Sequence, residues 1–242
     1  MTDLHLDPPM TMGRVHAVQG WILPVAAVVF VALAIGAMAG WLFWDEPITR
    51  WVVDARTSGL DAFFRRVSSM GSTRVVIVVS VLAALAAWRR CPRLAIAIVV
   101  VALTRPFAEA VIKELVSRDR PIGDRLVNGE GFSFPSGHPL ATAASWGMLP
   151  LVVALYTRRR WLWWAVATAV WTLALFVAAS RVYLGVHFTS DVFAGLVLAV
   201  LGVAGAERFI TATHGGCGSR GCLEVDDVDP ELVDRPVLDA PT

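Results

Sequence analysis

Net charge is almost absent from this chain: 21 Lys and Arg are balanced by 20 Asp and Glu, leaving a formal +1 at pH 7. So balanced a chain has no general field for gathering nucleic acid, and any anion it binds must be held by locally placed cations. Cysteine is scarce as well. Cys91, Cys217 and Cys222 are too few for a disulfide framework and are expected to stay reduced and inert. Cys217 and Cys222 with nearby His214 match no common zinc spacing, so no metal site is read there. Charged residues make up only 17% of the chain, against about 25% in ordinary soluble domains. Apolar residues take their place. The hydrophobic share is 56%, with ten Trp, a residue that favours the membrane interface. The sequence therefore reads as all-α and membrane-embedded.

A hydrocarbon core of about 30 Å needs about 20 apolar residues in a helix. Six stretches approach that length: Val18 to Trp44, Thr73 to Trp88, Leu94 to Ile112, Pro139 to Tyr156, Trp161 to Ala179 and Asp191 to Ile210. The expected organisation is a segment at 1–16, a six-span helical bundle at 17–212, and an acidic disordered tail from 213 to 242, rich in Gly, Asp, Glu and Pro. The first stretch is too long for the apolar core of a signal peptide, so it is read as a retained helix. Arg105, Pro106 and Glu109 interrupt the third and must face protein rather than lipid. Arg105, Glu109 and Lys113 lie four apart, which stacks them on one helical face; Arg105 and Glu109 are read as a structural ion pair, a role towards the substrate being the alternative.

Orientation follows from arginine. Arg89, Arg90 and Arg93 join the second and third spans, and Arg158, Arg159 and Arg160 join the fourth and fifth. Positive loops stay inside. Both termini are then cytoplasmic, and three connections face outward: Asp45 to Ser72, Lys113 to His138, and Ser180 to Ser190. The first, with Trp51, Val52, Phe63, Phe64 and Val67 among charges, suits a segment lying along the interface, as an entry for lipid or as a plain connector. The other two bring Lys113, Arg118, Arg120, Ser136, His138, Ser180, Arg181, His187 and Asp191 to one side. Cations beside two histidines describe a place for an oxyanion with chemistry to perform on it.

The segment Ser133-Phe134-Pro135-Ser136-Gly137-His138-Pro139 runs straight into the fourth span. Unpaired backbone N–H groups at such a helix start, a hydroxyl and a glycine that permits close approach can cradle phosphate; taken alone, the string would also suit a simple turn and cap. His187 and Asp191 are four apart where the sixth span begins, so within a helix the carboxylate reaches the imidazole and fixes its tautomer. The same pair would also suit a helix cap beside a solvent-facing histidine.

Three strings thus stand in order: Lys113, six residues, Arg120-Pro121; Pro135-Ser136-Gly137-His138; and Ser180-Arg181, five residues, His187, three residues, Asp191. Together they resemble the type-2 phosphatidic acid phosphatase family, whose superfamily includes glucose-6-phosphatase and the vanadium-dependent haloperoxidases. The resemblance covers about Ala17 to Ile210. It implies that Lys113, Arg120 and Arg181 hold a phosphate, with Ser136 and the Gly137 amide adding hydrogen bonds. His187 would be the nucleophile, forming a phosphohistidine while Asp191 orients it, and His138 would protonate the leaving oxygen and then activate water. No metal or other cofactor is implied, since three cations take the charge that Mg²⁺ handles elsewhere. Arg118 stands as a secondary phosphate contact.

The implied activity is hydrolysis of a lipid phosphomonoester or diphosphate at the outer face of a bacterial inner membrane, a polyprenyl diphosphate of cell-envelope synthesis being favoured. A glycerophospholipid phosphate, phosphatidic acid or phosphatidylglycerophosphate, is the alternative substrate. A vanadium-dependent haloperoxidase-like oxidoreductase is the alternative from another class, and a non-catalytic binding or transport protein on the same scaffold is a third. Partners are the lipid substrate and the bilayer, with no nucleic acid.

Overall fold

The computed structural model describes residues 12–157 and 159–212; the expected acidic tail and the first eleven residues lie outside them. Among the described residues there are nine α-helices and no strands, so the all-α expectation holds. They are α1 (Met12–Ala39), α2 (Asp45–Asp54), α3 (Ser58–Ser69), α4 (Thr73–Trp88), α5 (Pro92–Val116), α6 (Gly137–Trp146), α7 (Leu149–Ala154), α8 (Arg160–Tyr183) and α9 (Thr189–Ala212).

Four helices are individually long and apolar enough to cross a membrane: α1, α5, α8 and α9. A fifth unit is α3 with α4, bent by 44° at the intervening turn. The expected fourth span is interrupted, because α6 ends at Trp146 and α7 resumes only at Leu149. The outward surfaces of these helices are apolar, as lipid requires. Val28, Leu82, Leu85, Leu103 and Phe107 are each more than 60% exposed.

Inside, small residues let the helices approach closely. Ala143 and Ala144 of α6, Ala174 and Ala178 of α8 and Ala199 of α9 form one buried cluster with Leu140, Val182, Val192 and Leu196. This is the three-helix core beneath the site. A second cluster joins α4, α5 and α7 through Ala83, Ala87, Leu94, Ile98 and Val152 at the opposite end. There the two arginine-bearing turns lock together: Arg90 donates to the Leu155 carbonyl at 2.7 Å and stacks on Tyr156 at 4.1 Å, while the Tyr156 hydroxyl donates to the Ala86 carbonyl at 2.6 Å. Cys91, at that end, is buried; Cys217 and Cys222 lie outside the described residues.

The termini of the helices aim the site-bearing segments. Gly40, at φ 70°, ends α1; the Trp41 amide closes back on the Gly36 carbonyl at 2.9 Å, the left-handed stop that glycine makes without steric cost. The first helix thus ends five residues earlier than expected, at Ala39 rather than Trp44, and Asp45 becomes the start of α2. At the end of α5, Ser117 takes the same left-handed conformation, φ 48°, and its amide caps Lys113 at 2.8 Å. That cap throws Arg118 and Arg120 back over the bundle. The connection between α1 and α4 is two short helices, α2 and α3, pinned to the end of α8. The Tyr183 hydroxyl accepts from the Thr57 amide at 3.1 Å and donates to Asp61 at 2.8 Å, and Arg56 donates to the Tyr183 carbonyl at 2.9 Å.

Candidate active site

His187 is 2% exposed and lies just ahead of α9, not inside it. Its Nδ1 donates to the Ser133 carbonyl at 2.8 Å. A carbonyl can only accept, so the proton sits on Nδ1 and Nε2 carries the lone pair. Arg120 Nη1 donates towards that Nε2 at 3.2 Å. Burial is the largest influence on His187 and pushes its pKa down to about 4, against an opposing pull from Asp191 and with Arg181 and Arg120 adding to the depression. At neutral pH the imidazole is therefore uncharged and its lone pair available.

The expected pairing of His187 with Asp191 takes a different form. Asp191 Oδ2 stands 3.7 Å from Nδ1, beyond hydrogen-bond range; Ser133 rather than Asp191 sets the tautomer. Asp191, fully buried on the first turn of α9, reaches back to the Phe188 amide at 2.9 Å with Oδ2 and receives Arg118 at 2.7 Å on Oδ1. The first interaction is half of a capping box, and a carboxylate on the first turn also suits the helix dipole. Asp191 thus supplies charge close behind the imidazole and holds the loop that carries it.

Arg118 goes on to a residue that the sequence did not point to. Its Nη2 donates to Asp45 at 2.8 Å and its Nη1 to the Ser190 hydroxyl at 2.7 Å. Asp45, 1% exposed, also accepts from the Ser190 amide at 2.9 Å and from the Ser190 hydroxyl. The arginine expected as a phosphate contact is instead bound between two buried carboxylates, so it braces the site from behind.

Arg120 is equally committed. Its Nε donates to Gly131 at 2.9 Å, Nη1 to Val186 at 2.8 Å, and Nη2 to Glu130 at 2.6 Å, all to carbonyls. Arg181, 6% exposed near the end of α8, donates to the Ser68 hydroxyl at 2.8 Å, but its Nε has no partner. Ser136 caps α6 with a fully buried hydroxyl that also has none. Buried polar groups are nearly always satisfied, so two orphans from separate elements describe a place made for something polar. Gly137 opens α6, where the first N–H groups lack helical partners, and its lack of a side chain is required: a Cβ would stand 2.2 Å from Glu109 Oε1. Gly195 lets α9 close on the same loop, since a Cβ there would stand 2.5 Å from the Ser136 carbonyl.

His138 follows Gly137, half-buried, and the charges of Arg181, Lys113 and Arg105 and the His187 ring all bear on it. Lys113 Nζ pairs with Glu109 Oε1 at 2.9 Å and Arg105 Nη1 with Glu109 Oε2 at 3.1 Å, as the four-residue spacing predicts. The eight candidate site residues Lys113, Arg120, Ser136, Gly137, His138, Arg181, His187 and Asp191 are therefore drawn to one end of the bundle, opposite the arginine-bearing turns. Among the described residues, no three of His, Cys, Asp and Glu gather as a metal-binding group.

Residues 78–213, more than half of the chain and spanning all three strings, match the PAP2 superfamily. The chain belongs to that superfamily. It is 35% identical over 95 residues to phosphatidylglycerophosphatase B of Bacillus subtilis, covering 38% of this chain and 45% of the relative. With the lipid A 4'-phosphatase of Bacteroides thetaiotaomicron it shares 33% identity over 132 residues, 48% of this chain and 54% of the relative. The chain thus spans about half the length of the curated relatives it matches.

Among solved structures, the transmembrane PAP2-type phosphatidylglycerolphosphate phosphatase of Bacillus subtilis superposes with a TM-score of 0.68 at 26% identity, over 78% of this chain and 96% of that one. Aquifex aeolicus LpxE gives 0.55 at 18% identity, over 68% and 95%, a likeness of fold. With its long apolar helices, this PAP2 member is an integral membrane protein.

Two residues of the candidate site escaped sequence reasoning because both lie on the connection between α1 and α4: Asp45, which anchors Arg118, and Ser68, which anchors Arg181. Asp45 stands next to Glu46, which is exposed, and nothing local to α2 separates the two. Ser133 was visible inside the second string, but its part is played by a carbonyl, which residue type does not encode.

Proposed function

We propose that this PAP2 member is a metal-independent lipid phosphatase acting through a phosphohistidine. The observation that carries the reading is the fixed tautomer of His187, with Nδ1–H held by the Ser133 carbonyl and the Nε2 lone pair facing Arg120. Nε2 attacks phosphorus, an N–P bond forms, and the bond from phosphorus to the leaving oxygen breaks while His138 delivers a proton to that oxygen. His138 then takes a proton from water, whose oxygen displaces His187 and releases inorganic phosphate. Arg120 moves its N–H from Nε2 to the equatorial oxygens as the phosphoryl group arrives, joined by Arg181, Lys113, Ser136 and the Gly137 amide. Asp191 stabilises the imidazolium formed on attack through its charge.

The substrate reaches the site from the bilayer. The names of the two curated relatives make lipid phosphomonoesters the first class to test, phosphatidylglycerophosphate above all; the polyprenyl diphosphate expected from the sequence stands second, since neither name carries a diphosphate. For topology we propose six crossings, with α3 and α4 acting as one bent unit and α6 and α7 as one broken unit. The arginine-bearing turns and both termini are cytoplasmic, and the site is extracytoplasmic, at a bacterial inner membrane. The locking of Arg90 to the Leu155–Tyr156 turn supports placing both arginine turns on one side.

The test is phosphate release by the detergent-purified protein in EDTA from phosphatidylglycerophosphate, phosphatidic acid and polyprenyl diphosphate. His187→Ala is expected to abolish nearly all turnover, and His138→Ala to cost about 10²–10⁴-fold. Turnover that needs a metal, or that survives His187→Ala, would refute the mechanism.

A further inference from the structure

Glu109 has no part in the mechanism above, yet its carboxylate lies inside the cradle. It rises from α5 with its side chain 16% exposed, and a methyl group built on Gly137 would stand 2.2 Å from Oε1 and 2.7 Å from Oε2. The carboxylate therefore rests on the first residue of α6, where unpaired N–H groups and helix polarity favour an anion. Oε1 holds Lys113, one of the cations assigned to the phosphate, at 2.9 Å. Its charge also bears on Arg120. A simple structural pair would need only Arg105 and Lys113, and would have no reason to press against a residue that must be glycine to admit it.

We propose that Glu109 is a resident counter-anion of the phosphate site, which the substrate phosphate displaces from Lys113 and which thereby sets how tightly anions bind. The inference rests on the lipid phosphatase reading. Without substrate, the carboxylate balances Lys113 and Arg105, which would otherwise be unpaired charges within the bundle. As the phosphate enters, Lys113 is transferred to it and Glu109 withdraws towards Arg105. A seat for that withdrawal exists: Arg105 Nε is buried without a partner, so a carboxylate released by Lys113 can take Arg105 through two N–H groups. The return of Glu109 to Lys113 then helps expel inorganic phosphate, so the carboxylate weakens product binding as it weakens substrate binding.

The test measures binding of orthovanadate and of inorganic phosphate to the full chain in detergent by calorimetry, together with KM and kcat. Glu109→Gln is expected to bind both anions about tenfold more tightly, an affinity ratio of one decade, to lower KM, and not to raise kcat. Loss of a merely structural ion pair would only loosen the site, so a gain in affinity separates the two roles. Affinity equal to that of the unaltered protein, or weaker, overturns the proposal. Should Glu109→Gln fail to fold, Glu109→Asp keeps the charge but retracts it by one methylene from Gly137, and must shift both affinities the same way by a smaller factor; no shift there overturns the proposal as well. If the unaltered protein binds neither anion, the phosphatase reading itself falls, whereas normal binding with no response to Glu109 sinks only this inference.

Discussion

Replacing Asp45 by Asn removes one charge and almost no volume from the point where α2 meets the site. Asp45 is 1% exposed and receives three donors: Arg118 Nη2 at 2.8 Å, the Ser190 amide at 2.9 Å and the Ser190 hydroxyl. An Asn carbonyl can retain one of these, but its amide then faces the Arg118 guanidinium donor to donor. Breaking a buried ion pair from one side costs about 3–5 kcal/mol. At roughly 2–4 °C per kcal/mol for a domain of this size, the thermal midpoint should fall by about 6–20 °C. Function should suffer in a particular way. Arg118 and Ser190 place Asp191, and Asp191 places the loop bearing His187, so kcat should drop by about one to two orders of magnitude, as a misplaced reacting group does, while KM changes little. The control is the adjacent carboxylate: Glu46 pairs with Arg50 at the surface, with side chains 66% and 72% exposed, and Glu46→Gln should leave both midpoint and kcat within error. The assay is thermal denaturation in detergent beside phosphate release. Equal midpoints and equal kcat for the two variants would refute the claim that Asp45 organises the site from behind.

Two further outcomes are expected. The pKa of His187 is depressed to about 4, so its ring stays neutral in the folded protein where an unfolded histidine, near 6.5, has already gained a proton. Its contribution to stability is complete above about pH 6.5 and is lost as pH falls towards 4. Nitrogen NMR of labelled histidine should show His187 as the neutral Nδ1–H form at pH 5.5, and a cationic ring there would contradict the burial argument. A reporter fused after Arg93 or Arg160 should read as cytoplasmic, because positive loops stay inside; an extracytoplasmic signal would reverse the side on which the site opens.

Helical character, membrane residence and the three strings could be read from the chain alone, because each depends on neighbours within a few residues. Apolar runs of about twenty require a bilayer, the Arg105–Glu109–Lys113 spacing predicts the observed ion pairs, and Ser136-Gly137 before an apolar helix marks the N-terminus of α6. The number of complete crossings was not legible in the same way, since local backbone geometry breaks α6 from α7 and bends α3 from α4. Tertiary packing alone decided which partner each polar head meets. It set Ser133 rather than Asp191 on His187, turned Arg118 from the phosphate towards Asp45 across 73 positions, joined Arg181 to Ser68 across 113, and laid Glu109 over Gly137. Helix periodicity specifies the face on which a side chain stands; what stands opposite depends on how distant helices close on one another, and small alanines and glycines at those contacts bring the charges within reach.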